Sequence, residues 1–415
     1  MSQQLSLFER LSQNTVRPQS KDDWFQLDTA VLQAFTPHGP IDEDAFFSGR
    51  SELAQEIIDV VFQKGCHAII YGERGVGKTS FANNIKDRIF SRTQSFKVIK
   101  RNCTAQHDFP LIWRHVLDDF QVDGKDSSEF ISDNVSGYDV YKILERIEVA
   151  QQPVIVIDEF DRVRDSVTYE KMADLIKLLS DSGSSATLIV VGVGESVHHL
   201  FGGHLSIHRN TRQILMPKMT PSEIEEIFLT RQKILNIVPT DSVLDQLVAL
   251  SQGYPGYAHL LGQFVFRAAV ERKSMAVEAI DLKLGVERCV QKADEIVLTA
   301  YDKATRSTKP VHYYKEVLTA FALTDANSRG YFKAKDVKEP FSHIMKTPMD
   351  IPNFSRHLKE FQLDERGPVL LREGKPKSYE YKFANPLLKP FAIIAGIKDG
   401  IITLNDFAQS SPNVR

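Results

Sequence analysis

The chain has 415 residues, of which 42% are hydrophobic and 25% charged, with a formal net charge of -3. This length implies two or three domains with ordinary buried cores, and the charge excludes a uniformly basic nucleic-acid coat while allowing a local basic face. No apolar run approaches the ~18 residues that a membrane helix needs.

Residues 1 to about 40 are polar and read as an irregular arm. The opening MSQQLSLFERLSQ lacks the apolar centre of a signal peptide. Cys66, Cys103 and Cys289 lie far apart with no CxxC pair, so neither a zinc site nor a disulfide framework is implied. Free thiols and no leader point to a reducing, cytoplasmic setting.

An entry segment and amphipathic helix, DEDAFFSGRSELAQEIIDVV, follow the arm. Short β-branched or apolar runs then predict strands near 67–71, 96–102, 153–157, 187–193 and 212–216. Helical patterns such as YDVYKILERIEVA separate them. Strands alternating with helices imply a parallel sheet covered on both faces.

The first strand, CHAIIYG, runs into GERGVGKTS, which fits G-x-x-x-x-G-K-[ST]. Glycines let the backbone curl so that several N–H groups face one anion. The expected phosphate-binding set is Gly72, Gly75, Val76, Gly77, Lys78, Thr79 and Ser80. Lys78 adds a positive charge near the β- and γ-phosphates, and the Thr79 hydroxyl is a hard ligand for Mg2+. Phe81, Ile85 and Ile89 repeat at helical spacing, so a helix N-terminus favours the same anion.

Eighty residues after Lys78, PVIVIDEFD ends a buried strand in Asp158 and Glu159. The carboxyl end of such a strand opens on the crevice where ligands bind. Asp158 there suits Mg2+ through water, and Glu159 suits a general base on an attacking water. Without the phosphate loop these would read as surface carboxylates.

After Pro217 the strand signals stop. TPSEIEEIFLTRQKIL predicts a helix with Thr220 as N-cap, Pro221 at its first position and Glu223 closing a capping box. Helical patterns continue to about residue 305, an all-α domain. Beyond it, VHYYKEVLTAFAL, FKAKDV and IPNFSRHLKEF predict three helices. VLLREGKPKSYEYKF predicts a hairpin around Gly-Lys-Pro-Lys. Three helices and a basic hairpin make a winged-helix pattern. Residues 301–415 carry 19 Lys and Arg against 13 Asp and Glu, whereas residues 1–300 carry 32 against 41. Lys375, Lys377, Lys382, Arg356 and Lys359 are the expected phosphate-contacting cations. A protein-binding role for the same module stays open.

FFSGR, GERGVGKTS, VIVIDEFD, LIVVGVGES, HRNTRQILMPKMTPSEI and SQGYPGYAHLLG, in that order, resemble an AAA+ ATPase of the origin-recognition-initiator branch, close to the STAND signalling NTPases. The resemblance covers about residues 42 to 390. It implies an α/β P-loop NTPase domain at 41–218, a helical lid at 219–305, a winged helix at 306–393 and a tail at 394–415. It further implies a polar sensor at Glu195 or Ser196. An arginine finger for a neighbouring subunit falls at Arg209, with Arg212 in reserve. Pro255 matches the residue that backs the adenine, and Phe47 and Arg50 match an entry segment beside the base. A plain surface role for Arg209 and a plain turn for GYPG remain alternatives. No second-sensor Arg follows Pro255, which departs from many initiators.

The resulting expectation is an ATPase with ATP and Mg2+ held between sheet domain and lid. It would form nucleotide-dependent homo-oligomers, would bind DNA through the winged helix, and would have no membrane partner. The alternative is a slow signalling scaffold whose winged helix binds a protein effector.

Overall fold

A computed structural model describes residues 18–37, 50–85, 96–122, 124–147, 152–194, 197, 201, 209, 211–308, 312–327, 329–376 and 378–410. These fall into two units, one within 40–218 and the other combining 1–39 with 219–415.

The first unit is built on a five-stranded sheet. Its strands are β1 (His67–Gly72), β2 (Phe96–Asn102), β3 (Gln152–Asp158), β4 (Thr187–Val193) and β5 (Thr211–Leu215), in the order β2-β3-β4-β1-β5. Every pairing is parallel. All five strands therefore end on one edge. The register sets Asn102 beside Asp158 and Gly72 beside Val193 there. β3 is buried on both faces, as its unbroken VIVI run requires. Ile69, Ile155, Ile157, Leu188 and Val190 share a core with Phe109, Trp113, Leu175 and Leu179. Alternate residues such as Ile70, Val154, Val156 and Val191 are equally buried and point the other way. Helices described in this unit include α2 (Ser51–Phe62), α3 (Lys78–Asn84), α4 (Phe109–Leu117), α5 (Gly137–Arg146) and α6 (Ser166–Asp181).

The second unit opens with α1 (Lys21–Ala34), where an irregular arm was expected. A capping box starts this helix. Ser20 Oγ accepts from Asp23 N at 3.1 Å, and Asp23 Oδ2 accepts from Ser20 N at 2.9 Å. Leu27, Ala30, Val31 and Ala34 are buried. The apolar stripe is narrow and built partly of alanine, which is why composition alone suggests a loose segment. α1 packs on α7 (Pro221–Leu235) and α9 (Pro255–Glu271); α8 (Asp241–Ser251) lies between them in the chain. The helix end is held by polar groups as well. Arg231 Nε donates to Ala34 O (3.1 Å) and Gln263 Nε2 to Phe35 O (2.9 Å). Thr36 N donates to His259 Nδ1 at 3.0 Å. Arg267 grips Asp28 in a bidentate pair at 2.7 and 3.0 Å. α7 starts as its sequence predicts, with Thr220, Pro221 and Glu223 in the expected cap.

Phe35 is fully buried against Phe228, Phe266 and His259. A Cβ at Gly262 would lie 2.1 Å from its ring. Alanine is the better helix former by about 1 kcal/mol, but this ring has nowhere to move. Gly262→Ala is therefore expected to destabilise the protein by about 1–3 kcal/mol, as overpacking does. Urea denaturation checks this, and an unchanged or raised midpoint would contradict the packing.

Further along come α10 (Ala279–Lys292), α11 (Glu295–Thr305), α12 (Tyr314–Leu323), β6 (Phe332–Lys333), α13 (Lys338–Met345), α14 (Ile351–Glu360), β7 (Leu370–Glu373) and β8 (Glu380–Phe383). The stretch FKAKDV is not the expected helix. Phe332–Lys333 pairs with β8, a 3-10 turn covers Ala334–Val337, and the helix begins only at Lys338. β8 runs antiparallel to both β6 and β7. Phe321, Phe332, Phe341, Phe354 and Phe361 form the aromatic centre of this region. The expected boundary at 393/394 cuts α15 (Leu388–Lys398), whose Ile393, Ile394 and Ala395 are buried. Among the remaining residues, α16 (Leu404–Ser410) is a helix with Phe407 buried, so the segment read as a tail is folded up to Ser410. Tail composition misleads here because one alanine- and isoleucine-rich helix supplies most of the burial. Among the described residues no helix is long and apolar enough to cross a membrane.

Candidate phosphate-binding site

The site stands at the carboxyl edge of the sheet. β1 ends at Gly72, where nothing larger fits, since a Cβ there would sit 2.3 Å from the Met216 carbonyl oxygen. Gly75 and Gly77 have φ of 85° and 96°, conformations that side chains disfavour. Between them Val76 is buried, anchoring the loop. α3 starts at Lys78, with Phe81 N donating to Gly77 O at 2.9 Å. Thr79 and Ser80 follow, both half-buried.

Lys78 is 8% exposed, and its ammonium donates to Gly72 O (3.0 Å) and Glu73 O (2.7 Å). Burial pulls its pKa down to about 8, against the opposing pull of Asp161, Asp158 and Glu73. A cation kept so dry beside carboxylates is arranged for an anion.

Asp158 is buried at the end of β3. Its Oδ1 accepts from Glu159 N at 2.8 Å. Lys100 Nζ lies 3.0 Å from Oδ2, yet Oδ2 has no hydrogen-bond partner of acceptable geometry. The pair is a charge contact, and the carboxylate keeps lone pairs for a further cation. Glu159 has a left-handed backbone, φ 55°, uncommon for such a residue and a form of strain that clusters at working sites. Its Oε2 accepts from Arg162 Nη1 at 2.9 Å, in a pair exposed on both sides.

Sequence reasoning missed two participants, Lys100 and Asp161, and gave a third, Arg50, a place beside the base only. Lys100 reaches Asp158 from the neighbouring strand. Asp161 Oδ1 accepts from Val193 N at 2.7 Å, tying the acidic loop to the end of β4. The Arg50 guanidinium reaches the phosphate loop itself, at Val76 O (3.3 Å). Strand order, which no local pattern reveals, brings Lys100 to the site, and the left-handed turn at Glu159 brings Asp161. Nearby Cys103 is buried, and burial with Asp158, Asp161 and Glu159 pushes its thiol up to about 12, so it is inert.

The structure thus brings Gly72, Gly75, Val76, Gly77, Lys78, Thr79, Ser80, Asp158 and Glu159 into one unit. Arg209 also belongs to that unit and is exposed. Arg212 lies on β5, 3.9 Å from Glu56. Phe47, Glu195 and Ser196 lie outside the described residues. Pro255 belongs to the other unit, where it is the first residue of α9, after Gly253 with φ 75°. No group of three or more His, Cys, Asp or Glu among the described residues is placed to hold a metal ion by itself. One carboxylate and one hydroxyl suit an ion that takes its other ligands from phosphate and water.

A parallel sheet with this loop on its first strand and an acidic strand end two places across is a P-loop NTPase domain of the AAA+ fold, followed by a helical region. Residues 63–201 match the family model described as AAA domain. A Walker-type ATPase of Pyrococcus abyssi is similar in structure, with a TM-score of 0.51 and 14% identity over 86% of this chain and 98% of that one. At that identity the likeness speaks for the fold. The Aeropyrum pernix ORC2 protein in ADPNP-ADP complexes gives 0.48 and 13% over 87% and 96%. The Aeropyrum pernix ORC1 protein in complex with DNA gives 0.47 and 15% over 89% and 96%. No curated protein matches in sequence.

Proposed function

We propose that this protein is an ATP-binding, ATP-hydrolysing switch whose nucleotide state governs self-association and contact with DNA. The observation that carries the reading is the dry Lys78 ammonium beside a left-handed glycine loop, with buried Asp158 at the adjoining strand end. Loop N–H groups and Lys78 would bind the triphosphate, and Thr79 and Asp158 would hold Mg2+. Asp158 Oδ2, in charge contact with Lys100 but without a hydrogen bond, keeps lone pairs that fit that ion. When bound, Mg2+ neutralises charge on the phosphates. Glu159 would orient a water and take its proton. Arg209, exposed, would serve a neighbouring subunit's site. Pro255 would contribute to adenine binding. Calorimetry with ADP and with a non-hydrolysable ATP analogue tests binding. Mass measurement under the same conditions, with and without duplex DNA, tests assembly.

The segment from α12 to β8 would act as a winged helix on DNA. Lys375 on the hairpin and Arg356 and Lys359 on α14 are exposed, while Lys377 lies outside the described residues. Lys375→Ala is expected to weaken binding to all duplex sequences alike and to lower the slope of log K against log salt by about 1. A salt slope equal to that of the unchanged protein would remove Lys375 from the interface.

The scaffold reading has its own support. Arg356 Nε is spent on Glu360 at 2.7 Å, and the Lys382 ammonium stands 4.8 Å over the Tyr331 ring. Two expected phosphate contacts thus already have intramolecular partners, which suits a protein-binding face. A salt-insensitive module and a co-purifying protein would favour it.

A further inference from the structure

Arg50 precedes α2 in the left-handed conformation, φ 67°, and is only 6% exposed. A buried guanidinium stays charged and must be satisfied by acceptors. Here Nη2 donates to Val76 O at 3.3 Å and to Pro217 O at 2.6 Å. A single nitrogen with two hydrogens therefore bridges the phosphate loop and the segment leaving β5. That segment is fastened to the loop elsewhere too. Met216 N donates to Tyr71 O at 2.7 Å, the Met216 carbonyl abuts Gly72, and Lys218 Nζ lies 3.6 Å from Glu73 Oε2.

The peptide joining Val76 to Gly77 is planar and trans, so its C=O and N–H point in opposite directions. Holding Val76 O on one side aims the Gly77 N–H to the other. Any change in that peptide's tilt on binding an anion must change the Arg50 contact, and through Nη2 the Pro217 carbonyl. We infer that Arg50 is a positioning residue that aims the Gly77 N–H and transmits loop occupancy to Met216–Lys218, the last residues before the helical unit. This rests on the nucleotide reading of the loop.

Hydrogen exchange by mass spectrometry on the full chain tests it. Peptides covering 72–80 and 211–218 are followed with and without Mg2+ and a non-hydrolysable ATP analogue. The unchanged protein is expected to slow exchange in both. Arg50→Ala is expected to keep the response at 72–80, lose it at 211–218, and bind the analogue about tenfold more weakly, as for a lost charged hydrogen bond. Arg50→Lys, which can reach one carbonyl, is expected to fall between. If Arg50→Ala does not fold, Arg50→Lys and Arg50→Gln decide by the same two peptides. Undiminished protection at 211–218 in these variants overturns the inference, as does a parent that protects 72–80 alone. A parent that binds no nucleotide removes the function proposed above and this inference with it.

Discussion

Lys78→Met is expected to abolish measurable nucleotide binding, a loss of about a thousandfold, and to flatten the pH dependence of stability above pH 8. The binding loss follows from removing a desolvated cation opposite a triphosphate, a charge-assisted contact. The pH effect follows from the pKa lowered from 10.5 to about 8. Below pH 8 the ammonium is charged in folded and unfolded chains alike, and its burial is a constant cost. Between about 8 and 10.5 the folded protein releases the proton first, so the unfolded chain holds more protons and stability rises with pH. Over that window the parent should gain about 3 kcal/mol relative to Lys78→Met. Other tyrosines and lysines titrate in both proteins and cancel in the difference. Near neutrality the two should be closer, because Met also deprives Gly72 O and Glu73 O of their donor. Urea melts at pH 7.5, 9 and 10 supply the test. Parallel pH profiles would show that Lys78 is not held dry.

Much of this site was readable from local pattern. A strand, a glycine loop and a helix are contiguous, so GERGVGKTS carried its own context. The strand before Asp158 declared itself by four β-branched residues in a row. What escaped was either weakly apolar or non-local. α1 shows only Leu27, Val31 and small alanines on its buried face, although Ser20 and Asp23 spelled a capping box. Lys100 faces Asp158 only because β2 and β3 are neighbours, a fact of sheet order. Asp161 reaches Val193 only because the chain turns through the left-handed Glu159. Arg50 was legible as part of an entry segment, but its bond to the loop carbonyl depends on a fold-back that no spacing encodes. β6 was misread as helix because Phe332–Lys333 is too short to show alternation.

Glu159→Gln is expected to lower hydrolysis by about a thousandfold while leaving nucleotide affinity within about twofold, the signature of removing a general base rather than a binding group. Glutamine keeps the length and shape of the side chain, so the left-handed backbone and the Asp158 contact to the Glu159 amide should survive. The Arg162 pair does not argue against a base. Both partners are substantially exposed, and surface pairs of this kind are worth at most about 1 kcal/mol. That is small enough for Glu159 to be released when a water must be oriented. Asp161 is the competing base. Its Oδ1 is already committed to Val193 N, so Asp161→Ala, which removes that acceptor, should disturb the end of β4 and impair binding together with rate, whereas Glu159→Gln should impair rate alone. Single-turnover hydrolysis beside equilibrium binding separates the two. Full hydrolysis by Glu159→Gln would move the base elsewhere, and hydrolysis absent from the parent as well would leave a nucleotide-gated scaffold.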